Sequence, residues 1–323
     1  MPDSTPHRPA AHGAPVAPQA VGAPLARSAV FLVLEVRDDD EARRTVREVL
    51  AGLDDLVKTV GFRDLQHPVS CTAGIGSRVW TELTGRERPA ELHPFREFAG
   101  AAHTAVATPG DLLFHIWSDR QDLCFELERL LLDALGTAVT TADEVSGFRY
   151  FDTRDLLGFV DGTANPVGAE LPEATLVGDE DPEFAGGSYV VVQKYVHPLA
   201  AWQALSTEQQ EQIVGRTKAD GVELDDATAG QKSHKTLTTI TADDGSEYEI
   251  LRDNMPFGRP GAGEFGTYFI GYSRRLWVIE RMLERMFVGD PPGLHDRILD
   301  FSTPLTGSTF FVPPRTLLAD LAG

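Results

Sequence analysis

One short string in the chain places a carboxylate between two glycines. Residues 157–166 read Leu-Gly-Phe-Val-Asp-Gly-Thr-Ala-Asn-Pro, so Gly158 and Gly162 bracket Asp161. Glycine tolerates backbone conformations that other residues avoid, and such a loop can hold the Asp161 carboxylate in a backbone geometry that is open to glycine. The same spacing fits an Asx turn, in which Asp161 bonds its own backbone. Spacing alone leaves both interpretations open.

A second string brings a cation and an amide close together. Residues 250–258 read Ile-Leu-Arg-Asp-Asn-Met-Pro-Phe-Gly. If this segment is extended, Arg252 and Asn254 point to one face and Asp253 to the other. A guanidinium beside an amide can stabilise an anion or a polarised oxygen. The alternative is a strand-end ion pair, in which Arg252 contacts Asp161 or the Asp253 of a neighbouring chain.

The histidines and cysteines select no ligand by spacing alone. There are nine histidines, and His234 lies in the polar segment 230–236, while His115 falls within an apolar run. Cys71 and Cys124 form neither a zinc motif nor a C-x-x-C-H haem attachment site. From the residues alone, the identity of any histidine ligand therefore stays open.

An apolar strand followed at once by an amphipathic helix recurs along the chain and sets its organisation. The pattern predicts four such units and four further short strands. The units begin near residues 29, 111, 188 and 267, and the further strands cover 69–75, 145–150, 248–251 and 308–312. Each half then reads β-α-β-β-α-β, the ferredoxin-like order. We predict an α+β fold of two ferredoxin-like halves with antiparallel sheets, resembling a dimeric α+β barrel.

Composition shifts predict the boundaries of these halves. Residues 1–26 are rich in Pro, Ala and Gly, which predicts a disordered N-terminal tail that contributes nothing to the fold. We predict an N-terminal half over 27–151, a linker carrying the Asp161 loop over 152–186 and a C-terminal half over 187–315. Residues 316–323 are predicted to form a short tail.

The net charge of the chain excludes some classes of binding partner. Lys and Arg number 29 and Asp and Glu number 49, which gives a formal net charge of −20 in 323 residues. This balance argues against nucleic acid and against anionic membrane surfaces as partners. The presence of only two cysteines favours a reducing compartment. The lack of an apolar run of about 18 residues argues against a membrane span.

Taken together, the strings resemble those of the dye-decolourising peroxidases, most closely the cytoplasmic B-type branch. The resemblance rests on G-x-x-D-G at 158–162, on L-R-D-N-M-P-F at 251–257 and on a histidine in the second half. It spans about residues 28–315. The family's fold is a pair of ferredoxin-like halves, which agrees with the strand and helix order read from the pattern.

The resemblance implies one non-covalent haem b per chain, bound in the C-terminal half. His234 matches the proximal iron ligand. Asp161, Arg252 and Asn254 match the distal aspartate, arginine and asparagine. Arg216, in Val-Gly-Arg-Thr, aligns with a basic residue that pairs with a haem propionate.

The implied activity is reduction of hydrogen peroxide through a ferryl intermediate, with dyes, phenolics or other one-electron donors as reductants. The resemblance also implies a cytoplasmic homo-oligomer. The chain departs from many relatives at Ala164, where they carry a carboxylate, so cation binding at the haem edge is not carried over. Two alternatives remain at this point, a haem-handling protein with little turnover and a ligand-binding α+β dimer without haem. Retention of Asp161, Arg252 and Asn254 together favours the peroxidase.

Overall fold

The computed structural model describes residues 17–226 and 230–322. The strands are β1 Ser28–Val36, β2 Ser70–Gly76, β3 Phe98–Ala99, β4 Thr104–Ala105, β5 Leu112–Ser118, β6 Val139–Phe148, β7 Ser188–Val196, β8 Ile240–Thr241, β9 Glu247–Tyr248, β10 Leu251–Arg252, β11 Met255–Arg259, β12 Glu264–Ser273, β13 Thr303–Pro304 and β14 Ser308–Val312. The α-helices are α1 Asp40–Ala51, α2 Leu53–Gly61, α3 Trp80–Thr84, α4 Gln121–Leu135, α5 Glu170–Thr175, α6 Leu199–Gln203, α7 Thr207–Val214, α8 His234–Thr238, α9 Leu276–Phe287 and α10 Arg315–Ala319.

The sheet confirms the predicted fold class. The N-terminal strands follow the spatial order β2-β5-β1-β6 and the C-terminal strands β10-β12-β7-β14. In both halves the second strand of the unit pairs with the third, the third with the first and the first with the last, which is the ferredoxin-like order. Antiparallel pairing of β14 with β2 joins the halves at Phe311 and Ile75.

A second approach between the halves brings β6 against β11. A Cβ built on Gly147 would lie 2.3 Å from Met255 Cβ, so only glycine allows this distance. Between these contacts an apolar interior is filled by buried side chains of both halves. Four of its rings stack in a column, with centroids 4.3 to 4.9 Å apart, in the order Tyr268, Phe31, His115 and Trp117.

Helices cover the outer faces, and two of them differ in detail from the predicted pattern. The continuous helical spacing over 46–60 is divided into α1 and α2 at Gly52, whose N–H caps α1.

Strand β6 begins at Val139, before the predicted 145, because it pairs with β1 along its whole length. No helix in the described part of the chain has the length and apolar character needed to cross a membrane.

The predicted N-terminal tail over 1–26 is wrong for residues 17–26. Gln19 is buried, its Nε2 donates to Ala73 O at 2.9 Å and to Pro313 O at 2.8 Å, and its Oε1 accepts from Ala73 N. Val21 is buried with it. A composition rich in Pro, Ala and Gly gave no sign of this segment, because its contacts are made by one glutamine side chain and by backbone carbonyls that accept from Arg315, Trp117 and Arg149. Residues 1–16 lie outside the described residues.

The predicted short tail over 316–323 is also wrong for the residues that the structure describes. Helix α10 begins at Arg315, and its Leu317 and Leu318 are buried in the larger apolar core. The Arg315 guanidinium lies 3.2 Å from Asp54 of α2. The chain therefore returns to the N-terminal half after its last strand.

We expect Gln19→Ala to lower the free energy of unfolding by about 2–3 kcal/mol, because three buried hydrogen-bonding groups lose their partner. Urea unfolding of the holoprotein measures this. The control is Gln203→Ala, at an exposed position of α6. Equal stability of the two variants would show that the hydrogen bonds of Gln19 do not stabilise the fold.

Candidate active site

A cavity of about 270 Å³ in the C-terminal half brings together every site residue predicted from the sequence. Strands β7, β10 and β12 form one wall, helices α8 and α9 another, and the loop of residues 155–164 closes it. The predicted residues that line the cavity are Asp161, Arg216, His234, Arg252 and Asn254. These residues come from segments separated by up to 93 positions.

His234 is held by a carboxylate that the sequence did not identify. It is the first residue of α8, after Ser233, whose side chain caps the helix. Its Nδ1 lies 2.6 Å from Oδ2 of Asp296, which is fully buried, and Asp296 Oδ1 accepts from Ile298 N. Because a carboxylate only accepts, Nδ1 carries the proton and Nε2 keeps a free lone pair. This is the tautomer that binds a metal through Nε2.

Asp161 is fixed by two donors. Its Oδ1 accepts from Gly162 N at 2.7 Å and its Oδ2 from Asn254 Nδ2 at 3.0 Å. Gly158 and Gly162 have φ angles of 95° and 78°, so both occupy the left-handed region that favours glycine. Asp161 thus accepts from the backbone of the adjacent residue, one position short of an Asx turn, and also lines the cavity.

Asn254 replaces a backbone acceptor in the sheet. Strands β10 and β11 both pair with β12 but are interrupted at residues 253–254. There the side-chain Oδ1 of Asn254 accepts from Ile270 N at 3.1 Å, while its Nδ2 donates to Asp161. A single amide thus ties the sheet ladder to the Asp161 carboxylate.

Asn165 is a residue of this site that the sequence analysis missed, having read Asn-Pro only as a turn signal. Its Nδ2 donates to Arg252 O at 2.7 Å and its Oδ1 accepts from Arg252 N at 3.0 Å. These two hydrogen bonds replace the ones that a neighbouring strand would make with the free edge of β10. It fixes the Asp161 loop to the residue whose guanidinium faces the same cavity.

The two cavity arginines have different surroundings. Arg252 is partly buried, and its Nε has no hydrogen-bond partner within the described residues. Burial lowers the pKa of its guanidinium, and the charge of Asp161 opposes that shift; the group stays cationic at neutral pH. Arg216 donates to Gly221 O at 3.0 Å and to Glu223 Oε1 at 2.6 Å.

The predicted alternation of residues 252–254 is confirmed. Asp253 points away from the cavity into the interior between the halves, where it lies 3.6 Å from Arg149 and 3.7 Å from His115 Nε2. Burial raises the pKa of Asp253 to about 7, Arg149 opposes the shift and Asp161 adds to it. Burial lowers the pKa of His115 to about 3, so this imidazole is neutral and bonds Tyr272 through Nδ1.

Comparisons with known proteins place this geometry in a family. Models described as Dyp-type peroxidase, N-terminal and C-terminal, match residues 18–149 and 152–317. A dye-decolorizing peroxidase of Mycolicibacterium paratuberculosis is 55% identical over 97% of this chain and 88% of its own length. A DypB variant of Rhodococcus jostii RHA1 in complex with heme superposes with a TM-score of 0.92, at 55% identity over 95% of this chain and 99% of that one.

The chain belongs to the Dyp-type peroxidase family. It is structurally similar to DypB, a B-type member, and it is a haem-dependent enzyme that reduces hydrogen peroxide and oxidises one-electron donors. Haem b is its cofactor. A haem-handling protein with little turnover is not favoured.

The cavity suits that cofactor on its own evidence. One side offers an imidazole whose Nε2 is not used by Asp296, and the other offers a carboxylate and a cation whose Nε has no partner among residues 17–226 and 230–322. Helix α9 supplies an apolar wall of Ile279, Met282, Leu283 and Met286. An apolar wall between two polar ends matches a flat macrocycle whose metal needs an axial ligand.

We expect Asn165→Ala to destabilise the holoprotein by about 1–3 kcal/mol, since the two backbone groups of Arg252 lose their partner. The variant should also slow the reaction with peroxide, because Arg252 and the Asp161 loop are no longer fixed to each other. Urea unfolding and stopped-flow mixing measure the two effects. Val167→Ala, an exposed change two residues further along that does not line the cavity, is the control. An unaltered peroxide rate in Asn165→Ala would contradict the positioning role.

Asp253 predicts a specific pH dependence. Its pKa is about 7 in the folded protein and about 3.9 when unfolded, so the folded state holds the proton more tightly between these values. Wild-type stability should therefore fall as pH rises from about 4 to 7, whereas Asp253→Asn lacks this contribution. Between pH 5 and 8 the variant should gain on the order of 2 kcal/mol relative to wild type.

Urea unfolding of wild type and Asp253→Asn at pH 5, 6, 7 and 8 tests this expectation. Exposed Asp179→Asn serves as the control and should track wild type at each pH. Parallel curves for wild type and Asp253→Asn would mean that Asp253 is ionised in the fold across this range.

Proposed function

We propose that the cavity residues divide the work of peroxide reduction between a proximal ligand, a base and a fixed cation. The observation that carries this proposal is the placement of His234, Asp161 and Arg252 around one cavity, each held by its own partner. Haem b, when bound, supplies the redox-active iron that exchanges electrons with peroxide and with the reductant.

His234 is the proximal ligand. Its Nε2 is the free nitrogen because Nδ1 donates to Asp296. A buried carboxylate on the remote nitrogen orients the ring and strengthens its donation. Asp296 is itself held by Ile298 N and through its own N–H to Met286 O at 2.7 Å, so the ring has little freedom to turn.

Asp161 is the base that moves the proton. It takes a proton from one oxygen of hydrogen peroxide and returns it to the other, which leaves as water. The donors Gly162 N and Asn254 Nδ2 each occupy one carboxylate oxygen and leave lone pairs for that proton. Asn254 is a positioning residue, because it acts through Asp161.

Arg252 is the fixed cation beside the departing oxygen. Its backbone is tied to Asn165 at both N and O, and its side chain is partly buried, so little reorganisation is needed as negative charge develops. Arg216 holds a haem propionate in this proposal. It lines the cavity with a side chain that is 16% exposed, and Glu223 now occupies one of its nitrogens.

The reductants are small-molecule electron donors that meet the protein at the cavity rim. Tyr248 lines the cavity, is 39% exposed, and contacts Trp277 edge to face with ring centroids 4.8 Å apart.

The proposal includes a homo-oligomer in the cytoplasm. Phe62, Leu65 and Phe125 support the association, because they expose large apolar side chains on segments that the Arg63–Glu126 ion pair joins.

His234→Ala should lose most of its bound haem, because His197, the other histidine among the described cavity residues, has both ring nitrogens engaged by Thr267 and Ser302. Arg252→Leu and Asp161→Ala should keep haem but react slowly with peroxide. Loss of one preorganised charge costs about 10²–10³-fold, and pocket water can carry a proton but not a fixed positive charge. We therefore expect Arg252→Leu to be the slower variant.

Haem content by absorbance and stopped-flow mixing of each ferric protein with hydrogen peroxide measure these effects. His67→Ala, an exposed histidine in the other half, is the control for His234→Ala. Full haem with unchanged ligation in His234→Ala would refute the proximal assignment. A slower Asp161→Ala would show that proton transfer dominates, and unchanged rates in both variants would remove the distal assignment.

A further inference from the structure

Three potential metal ligands converge outside the haem cavity. His103 Nε2 and His295 Nε2 each lie 3.0 Å from the same oxygen of Asp300, Oδ1. The two imidazole rings meet edge to face at 72°, with centroids 4.8 Å apart. Their ligand atoms all lie within 4.8 Å of one another. The side chains are 24%, 22% and 38% exposed, so the cluster is reachable from solvent.

The cluster joins the two halves of the fold. His103 lies in the turn between β3 and β4, and His295 and Asp300 follow α9. The turn is pressed against the end of α9, since a Cβ on Gly100 would lie 1.8 Å from Phe287 O. The backbone of each histidine is also fixed, His103 O by Gly100 N at 2.9 Å and His295 O by Gln231 Nε2 at 2.6 Å. The ligands are therefore held before any ion arrives.

The spacing suits a borderline divalent cation. Zinc binds imidazole nitrogen and carboxylate oxygen at about 2.0–2.1 Å, which puts tetrahedral ligand atoms about 3.3 Å apart. The observed separations of 3.0 Å differ from this by a few tenths of an ångström. Two imidazoles favour Zn²⁺, Ni²⁺ or Cu²⁺ over Mn²⁺ or Mg²⁺, which prefer oxygen ligands.

The arginine beside this cluster, Arg297, competes only weakly with a metal ion for Asp300. Arg297 Nε approaches the other oxygen of Asp300, Oδ2, at 4.0 Å and is 46% exposed. It leaves Oδ1 to the two histidines. Without an ion, the two imidazoles can only share Oδ1 as hydrogen-bond donors; with one, each nitrogen loses that proton and binds the metal.

We propose that His103, His295 and Asp300 form a second metal site, which takes one borderline divalent cation with solvent completing its coordination. The bound ion would link the β3–β4 turn of the N-terminal half to the segment 295–300 of the C-terminal half. That segment includes Asp296, the partner of His234, so the ion stabilises the support of the proximal histidine without entering the haem cavity.

The test uses tag-free, full-length holoprotein in which His7 and His12 are replaced by Ala, so that the N-terminal histidines cannot bind the probe. Zn²⁺ is titrated calorimetrically at pH 7.5. We expect saturation of a site that His103→Gln and His295→Gln each weaken by at least about tenfold. Zn²⁺ should also raise the melting temperature of the parent protein and not of either variant.

His67→Gln is the matched control, because His67 contacts a single carboxylate, Asp64, at 3.1 Å. It should leave Zn²⁺ affinity unchanged. Soret absorbance and far-ultraviolet circular dichroism check that each variant keeps haem and fold. Zn²⁺ affinity equal in the parent and both cluster variants, or an absence of Zn²⁺ binding up to millimolar concentration, would overturn the proposal.

Discussion

The hydrogen bond between His234 and Asp296 is the interaction on which one side of the cavity depends. Asp296 is fully buried, and a buried carboxylate is costly unless donors satisfy it. Those donors are Ile298 N and the imidazole, and the backbone of Asp296 is in turn anchored to Met286 in α9. Because α9 packs its apolar face on the sheet, the orientation of one ring is set by the core of the C-terminal half.

The opposite side of the cavity is built on side-chain amides in place of backbone groups. Asn254 supplies an acceptor that the interrupted ladder lacks, and Asn165 supplies the edge partner that β10 lacks. Asn254 divides its amide between the sheet and the Asp161 loop, whereas Asn165 uses both amide atoms to bond Arg252 from the loop. These side-chain amides take the place of backbone hydrogen bonds between strands. The Asp161 loop can therefore lie against the sheet without forming a strand, which brings Asp161 and Arg252 into one cavity.

Much of this architecture follows from local signals. Two-residue alternation placed Arg252 and Asn254 on one face, the glycines predicted the backbone at Asp161, and strand–helix repetition predicted both halves. Asp296 and Gln19 could not be found in this way. Their partners lie 62 and 54 residues away, or further, and each is a polar residue whose role appears only when distant segments meet.

Family resemblance supplied what the local signals lacked at His234. From spacing, no histidine stood out, and in the fold several of them are engaged in ordinary contacts. His115 stacks in the interior column and His197 is buried beside Ser302. Only the combination of a cavity, a carboxylate on Nδ1 and a free Nε2 distinguishes His234 physically.

The paired hydrogen bonds of Asn165 limit which substitutions this position can accept during evolution. They require a donor and an acceptor side by side in one plane, which the carboxamide of Asn provides. Every single-nucleotide change of an Asn codon that alters the residue gives one without that group, because Gln lies two changes away. The position is thus isolated in the genetic code, and any drift there must pass through an intermediate in which the Asp161 loop has lost its hold on β10.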